Sequence, residues 1–350
     1  MKTHTQLLAT ALPLAALAVG TFATVGSATT ASKAPVGVVS SGPQPQAAFE
    51  WTDAAMKAAK PMDITLKGSP KPAAASVLKV TGKPGLIAGQ AGPDGAAIAA
   101  AAQSASVAPS SATPTPMSGG FTYPTPFTRY EVELGVRKYA GNAAVGKHFF
   151  KQNGLSYVCS ASAISPTAIW TAGHCSSDGA GHFSTNVIFV PAYRDGTKPY
   201  GQFVCNSLVT SSAWHFSGDL RYDYAKANCG LNAKGQNFAA TTGWLGFAWN
   251  WGYGFHYDDF GFPQAAPFNG ARMQRCESSF GHADTRMAAP QPQAIGCDMT
   301  GGSSGGPWIW QFGTGNYVNG ENSYKYTTPA EPLEMYSPFY GDNALAVFNG

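Results

Sequence analysis

A chain of 350 residues with a net charge of +3, only 12% charged residues, 41 glycines and 25 prolines has the wrong balance for a coiled coil or long-helix protein and room for one large domain or two ordinary ones. The charge is uneven: residues 1–120 hold eight lysines and no arginine against Glu50, Asp53, Asp63 and Asp94, a surplus of four, which leaves 121–350 one unit negative. So near-neutral a body carries no electrostatic footprint for nucleic acid, and no nucleic-acid partner is expected.

The first element in chain order is an export signal. Lys2 and His4 precede the apolar run Leu7–Val25, and the small residues Gly26-Ser27-Ala28 follow at a cleavage position. Thr10, Pro13, Gly20 and Thr21 interrupt the run, no positive cluster stops it, and no other stretch reaches the ~20 apolar residues of a spanning helix. A cleaved signal over 1–28, secretion, and no membrane association afterwards are therefore expected. Residues 29–120 read as a pro-segment. Phe49, Trp51, Met56, Met62, Ile64 and Leu66 suffice for a small ordered piece. From Gly82 to Gly120 the Ala, Gly, Pro, Ser and Thr text buries too little to offset chain entropy, so a flexible linker is expected there.

At Phe121 aromatics become dense and short β-branched runs alternate with turn residues. Tyr157–Cys159 and Ala168–Trp170 flank Ser165-Pro166-Thr167 as a hairpin; Asn186–Val190, Gln202–Val204, Trp244–Phe247, Pro307–Gln311 and Tyr317–Val318 read as further strands. Few segments keep a helical period, so 121–350 is expected to be one all-β barrel or sandwich domain. The alternating Trp249, Trp251, Tyr253 and Phe255 read as core and loop packing, with the wall of a cleft as the alternative. Six cysteines, Cys159, Cys175, Cys205, Cys229, Cys276 and Cys297, contain no CxxC pair, and in an oxidising compartment imply three disulfides rather than a zinc site. The adjacent acids Asp258 and Asp259 are too few for the roughly six to eight oxygens calcium takes, and neither metal nor cofactor is expected.

Three stretches carry chemistry: Trp170-Thr171-Ala172-Gly173-His174-Cys175, Tyr222-Asp223-Tyr224-Ala225, and Asp298 through Pro307, which contains Gly301-Gly302-Ser303-Ser304-Gly305-Gly306. A serine hydrolase needs a nucleophile, a histidine to take its proton, a buried carboxylate to fix the histidine, and N–H groups aimed at the developing oxyanion. Ser304, His174, Asp223, and the N–H groups of Gly302 and Ser304 fill these roles, with Asp219 the competing acid. Gly302-x-Ser304-x-Gly306 also fits the nucleophile elbow of α/β-hydrolases, but all seven histidines precede Ser304, which excludes their Ser–acid–His order. No aspartate lies between Phe121 and His174, so the order Asp–His–Ser fails as well. His–Asp–Ser remains.

These three blocks resemble those of the chymotrypsin-like serine peptidases, and most closely the secreted bacterial branch near the V8-like glutamyl endopeptidases. The resemblance runs from about Phe121 to the C-terminus. It implies two six-stranded antiparallel β-barrels with the site in the crevice between them, and peptide-bond hydrolysis through an acyl-enzyme on Ser304. Cys159 and Cys175 resemble the family's disulfide beside the histidine; Cys205 is then paired with Cys229 and Cys276 with Cys297. The resemblance also puts Asp298, Asn322 and Ser323 at the primary substrate pocket. Asp298 stands where trypsin-like enzymes pair with Lys or Arg of the substrate, although V8-like relatives keep a structural Asp there; Asn322 stands where glutamyl-specific relatives have His, which argues against Glu specificity. Ser303 replaces the Asp or Asn that precedes the nucleophile, so pro-segment removal is expected to act by unblocking the cleft rather than through a new N-terminus. The expected partners are protein or peptide substrates, and a monomer is the default. An esterase with the same triad and a catalytically inactive binding module are the alternative readings.

Overall fold

The computed structural model describes residues 37–44, 51–75, 78–95, 124–133, 141–328 and 333–350. The expected signal, 1–28, and residues 96–120 of the expected linker lie outside them.

Six strands form the first barrel: β1 (Val145–Gln152), β2 (Leu155–Ser165), β3 (Ala168–Thr171), β4 (Thr185–Pro191), β5 (Phe203–Ser211) and β6 (Ala225–Cys229). Their antiparallel pairings run β5-β4-β1-β2-β3-β6 and close through β6 back to β5. Closure leaves no edge unpaired, and alternate residues point inward. Phe150, Ile169, Val187, Phe189, Phe203 and Leu208 fill the interior, while Trp170 faces the second sheet and its Nε1 donates to Glu321 and Tyr340. The expected hairpin is β2–β3, with a register irregularity between Ala168 and Ile169.

The second sheet holds β7 (Gly246–Trp249), β8 (His256–Gly261), β9 (Gln274–Asp284), β10 (Gln293–Gly296), β11 (Pro307–Trp310), β12 (Tyr317–Glu321) and β13 (Glu334–Ser337), in the order β13-β10-β9-β8-β11-β12-β7. Tyr257, Ile295, Met299, Trp308 and the Cys276–Cys297 disulfide form a core on this side. The molecule is thus all-β in two barrel-type sheets, and the second sheet reaches ten strands among the described residues, the seven above and three outer ones. Phe127–Glu131 and Pro72–Ala73 pair with β9, and Gly85–Ile87 pairs with β7.

Two of those outer strands come from before residue 121, which corrects the linker expectation over its described part. Gly85–Ile87 and Gln90–Ala91 are sheet strands, the latter paired with Gly243–Trp244. The glycines that suggested a loose chain permit close backbone approach: a Cβ on Gly89 would lie 2.5 Å from Gly246 N, and one on Gly92 2.3 Å from Thr241 O. Upstream, helix α1 (Asp53–Ala58) is N-capped by Thr52, and Trp51, Met56 and Ala59 are buried against Phe149, Val158 and Ile188 of the first barrel. Helix α2 (Ser212–Ser217) is capped by Ser211 and ends on Gly218 at φ 60°; helix α3 (Asp342–Asn349) follows β13. The aromatic tract packs rather than lining a cleft: Trp251 and Phe255 meet Trp310, and Tyr253 stacks on Phe339.

Candidate active site

His174 sits on a single 3-10 turn, Gly173–Cys175, directly after β3, and the Cys159–Cys175 disulfide ties that turn to β2. The turn must carry glycine at 173, where a Cβ would lie 2.7 Å from the Trp214 ring and 2.9 Å from Asp223 Oδ1. Asp223 follows another 3-10 turn and is wholly buried. Its Oδ1 accepts the His174 backbone N–H at 2.7 Å, while Oδ2 lies 2.8 Å from His174 Nδ1 and accepts the Ser323 hydroxyl at 2.6 Å. These bonds fix both the position and the tautomer of the imidazole, leaving Nε2 to act. Nε2 is buried and has no hydrogen-bond partner among the described residues. Asp219, the competing acid, grips Arg221 with both oxygens and stays away from the histidine.

Ser304 stands in a tight turn. Ser303 N donates to Thr300 O and Gly306 N to Ser303 O. Gly302 at φ +97° and Gly305 at φ +77° supply the left-handed backbone the turn needs, and a Cβ on Gly305 would lie 2.1 Å from Thr171 Oγ1. Ser160 of β2 secures this turn to the first barrel, its N–H donating to Ser304 O at 2.8 Å and its hydroxyl to Gly302 O at 3.0 Å. Asn322 secures it from the second sheet: the Asn322 amide donates to Asp259 Oδ1 and Ser303 O and accepts from Trp308 Nε1.

The residues expected at the substrate pocket therefore divide. Asn322 turns its side chain to the back of the nucleophile turn, and Ser323 turns its hydroxyl to Asp223. Asp298 is ion-paired with Arg129 at 2.6 Å. Beside it Lys325 is buried and donates to Cys297 O at 2.8 Å; burial lowers its pKa to about 8 against the pull of Asp63, Asp298, Asp259 and Glu334. Sequence reasoning missed Arg129, Lys325 and Ser160, which lie on separate strands and carry no motif. His215, His256 and His282 bond to Ser177, Ser279 and Tyr336, away from Ser304.

The cleft is occupied by the chain itself. Met62 O accepts the Gly302 N–H at 2.9 Å and the Ser304 hydroxyl at 3.2 Å, so Ser304 is turned to this carbonyl instead of His174. All three cysteine pairs form, Cys159–Cys175, Cys205–Cys229 and Cys276–Cys297, as the resemblance implied.

No family model and no curated protein matches the chain. Solved structures do. The protease Anisep from Arthrobacter nicotinovorans shares 37% identity over 59% of this chain and 94% of its own, with a TM-score of 0.56. A thermostable serine protease, AL20, from an extremophilic microorganism shares 37% identity over 60% of this chain and 97% of its own, with a TM-score of 0.55. A relative of that identity matched over nearly its whole length, on a closed six-stranded barrel with a second β-sheet beside it, establishes the lineage: the chain belongs to the chymotrypsin-like serine peptidases.

Proposed function

We propose that the chain is a secreted serine endopeptidase, made as a precursor, that cuts protein or peptide substrates with Ser304 as nucleophile, His174 as general base and then acid, and Asp223 as the carboxylate that orients it. The observation that carries the reading is the Met62 carbonyl, which rests on the Gly302 N–H and the Ser304 hydroxyl together, where a scissile carbonyl has to sit. Ser304 Oγ adds to such a carbonyl as its proton passes to His174 Nε2. The oxyanion accepts from the N–H groups of Gly302 and Ser304. Collapse breaks the C–N bond, the departing amine takes the proton from His174, and water repeats the sequence on the Ser304 ester. Asp223 holds the imidazole throughout, and its oxygens are engaged by the His174 backbone, the imidazole and Ser323.

In the mature form the body from 121 onward is the catalytic domain and the residues before it a removable pro-segment. Three disulfides with no free cysteine support an oxidising compartment, and among the described residues no helix is long and apolar enough to cross a membrane. The Arg129–Asp298 ion pair opposes a pocket for Lys or Arg, because the carboxylate already has its cation.

The test is labelling with a fluorophosphonate once the segment before residue 121 has been removed, with the adduct mapped by peptide mass. Adduct on Ser304, absent from Ser304→Ala and His174→Ala, is the expected result. Correctly disulfide-bonded protein that takes no label would leave the inactive binding module as the reading, and turnover of esters without peptides would leave the esterase.

A further inference from the structure

Residues 59–66 run through the cleft from end to end. Ala59 O accepts from Gln264 Nε2 at 2.7 Å, and Lys147 Nζ holds Gln264 Oε1 at 2.9 Å. Lys60 and Pro61 pair in parallel with Tyr157 and Val158 of β2, and Met62 N donates to Val158 O at 3.0 Å. Asp63 packs on Gly301, where an added Cβ would lie 3.0 Å from its own Cβ. Beyond it Lys325 N donates to Ile64 O at 3.0 Å and Thr327 N to Leu66 O at 2.9 Å, with Thr65–Leu66 again parallel to Lys325–Tyr326.

Direction decides what such a segment is. Under the serine-peptidase reading, on which this inference rests, His174 must hand its proton to the leaving amine. The part of a substrate C-terminal to its scissile carbonyl therefore departs over the barrel that carries His174, past Cys159–Cys175 and Val158. The acyl part lies along the opposite edge, Ser323–Thr327. Residues 59–66 are laid the other way: Lys60 and Pro61, on the acyl side of Met62, lie against Val158, and Ile64–Leu66 lie along Lys325–Thr327.

We infer that residues 59–66 are a built-in inhibitor bound as a reversed peptide. The Met62 oxygen fills the oxyanion position and captures the Ser304 hydroxyl, while the chain leaving that carbonyl heads for the second sheet, so the segment blocks the site without being consumed. Upstream and downstream anchors hold it there: Trp51 Nε1 donates to Asn186 O at 2.6 Å, and Tyr200 donates to Asp94 at 3.0 Å.

The full chain tests this. A recognition sequence for a specific protease, placed among residues 96–120, allows the segment to be cut free of the body while staying in the sample. Fluorophosphonate labelling of the uncut chain should be slower by at least about 100-fold than that of the cut chain after dilution, in proportion to the small fraction with the seat open. Met62→Pro, which removes the N–H given to Val158, should label faster than the parent without any cut, and the Met62–Asp63 bond should stay intact on prolonged incubation. Equal labelling of uncut and diluted protein, or cleavage between Met62 and Asp63, overturns the inference. If no form labels, the serine-peptidase reading fails instead, and hydrogen exchange of residues 59–66 still reports on the seat. Protection in the uncut chain that is lost on dilution supports the seat, and free exchange in the uncut chain rejects it.

Discussion

Asp223 serves the His174 backbone, the His174 ring and the Ser323 hydroxyl with two oxygens, and it does so fully buried. Asp223→Asn keeps the shape but favours the wrong imidazole tautomer, and kcat should fall by about four orders of magnitude with KM little changed. Ser323→Ala removes a single bond to the carboxylate and should cost about ten- to a hundred-fold in kcat, since a hydrogen bond to a charged group is worth about 1.5–3 kcal/mol. Close by, His148 is wholly buried, with Nε2 3.2 Å from the Cys175 carbonyl and Nδ1 without a partner among the described residues; burial lowers its pKa to about 4. The unfolded chain binds that proton more readily, so stability is complete above about pH 6.5 and is lost as pH falls toward 4, by up to about 1.4 kcal/mol per pH unit. Denaturant titrations from pH 7 to 4 should show this slope, flattened in His148→Gln. His174, Asp223 and Ser304 were legible in the sequence because their chemistry demands short fixed contexts. Lys325 and Arg129 were not, because a buried cation or a half-exposed ion pair acquires meaning only when strands distant in sequence meet.

At the scale of elements, the site is a pair of stiff turns clamped to one strand. The disulfide from Cys159 holds the histidine turn, and Ser160, the next residue, holds the nucleophile turn through two hydrogen bonds. Replacing Cys159 and Cys175 together by alanine opens a 16-residue loop and should remove about 3 kcal/mol of stability, together with a loss of kcat larger than any change in KM. Gly305→Ala is the harsher change, because its Cβ would enter Thr171 and the Ser160 carbonyl; thermal unfolding should show a loss of more than about 3 kcal/mol, with no labelling of Ser304. The β2–β3 hairpin and β4 were readable from alternation and turn residues. The strands at Gly85–Ile87 and Gln90–Ala91 were hidden by composition: entropy arguments count glycine against order, whereas here its missing side chain lets backbone lie on backbone.

For the molecule as a whole, composition and strand spacing gave an all-β body, and the division into two barrels came from the resemblance alone. Neither reached the docking of residues 51–75 and 78–95, which depends on pairing across 97 to 164 positions of sequence. Trp51 is the main apolar anchor of that docking, packed on Phe149. Trp51→Ala should weaken the segment's hold by about 3 kcal/mol or more, read as faster Ser304 labelling of the uncut chain with the melting temperature of the free body unchanged.

The parallel course of Lys60–Pro61 and Thr65–Leu66 also has a consequence for populations of molecules. A chain whose own cleft is filled backwards makes the first cut only in its rare open state, so molecules already freed should do most of the opening. Activation should then begin with a lag that shortens as protein concentration rises and vanishes when a trace of active enzyme is added, whereas a self-cutting chain would show first-order progress at every concentration.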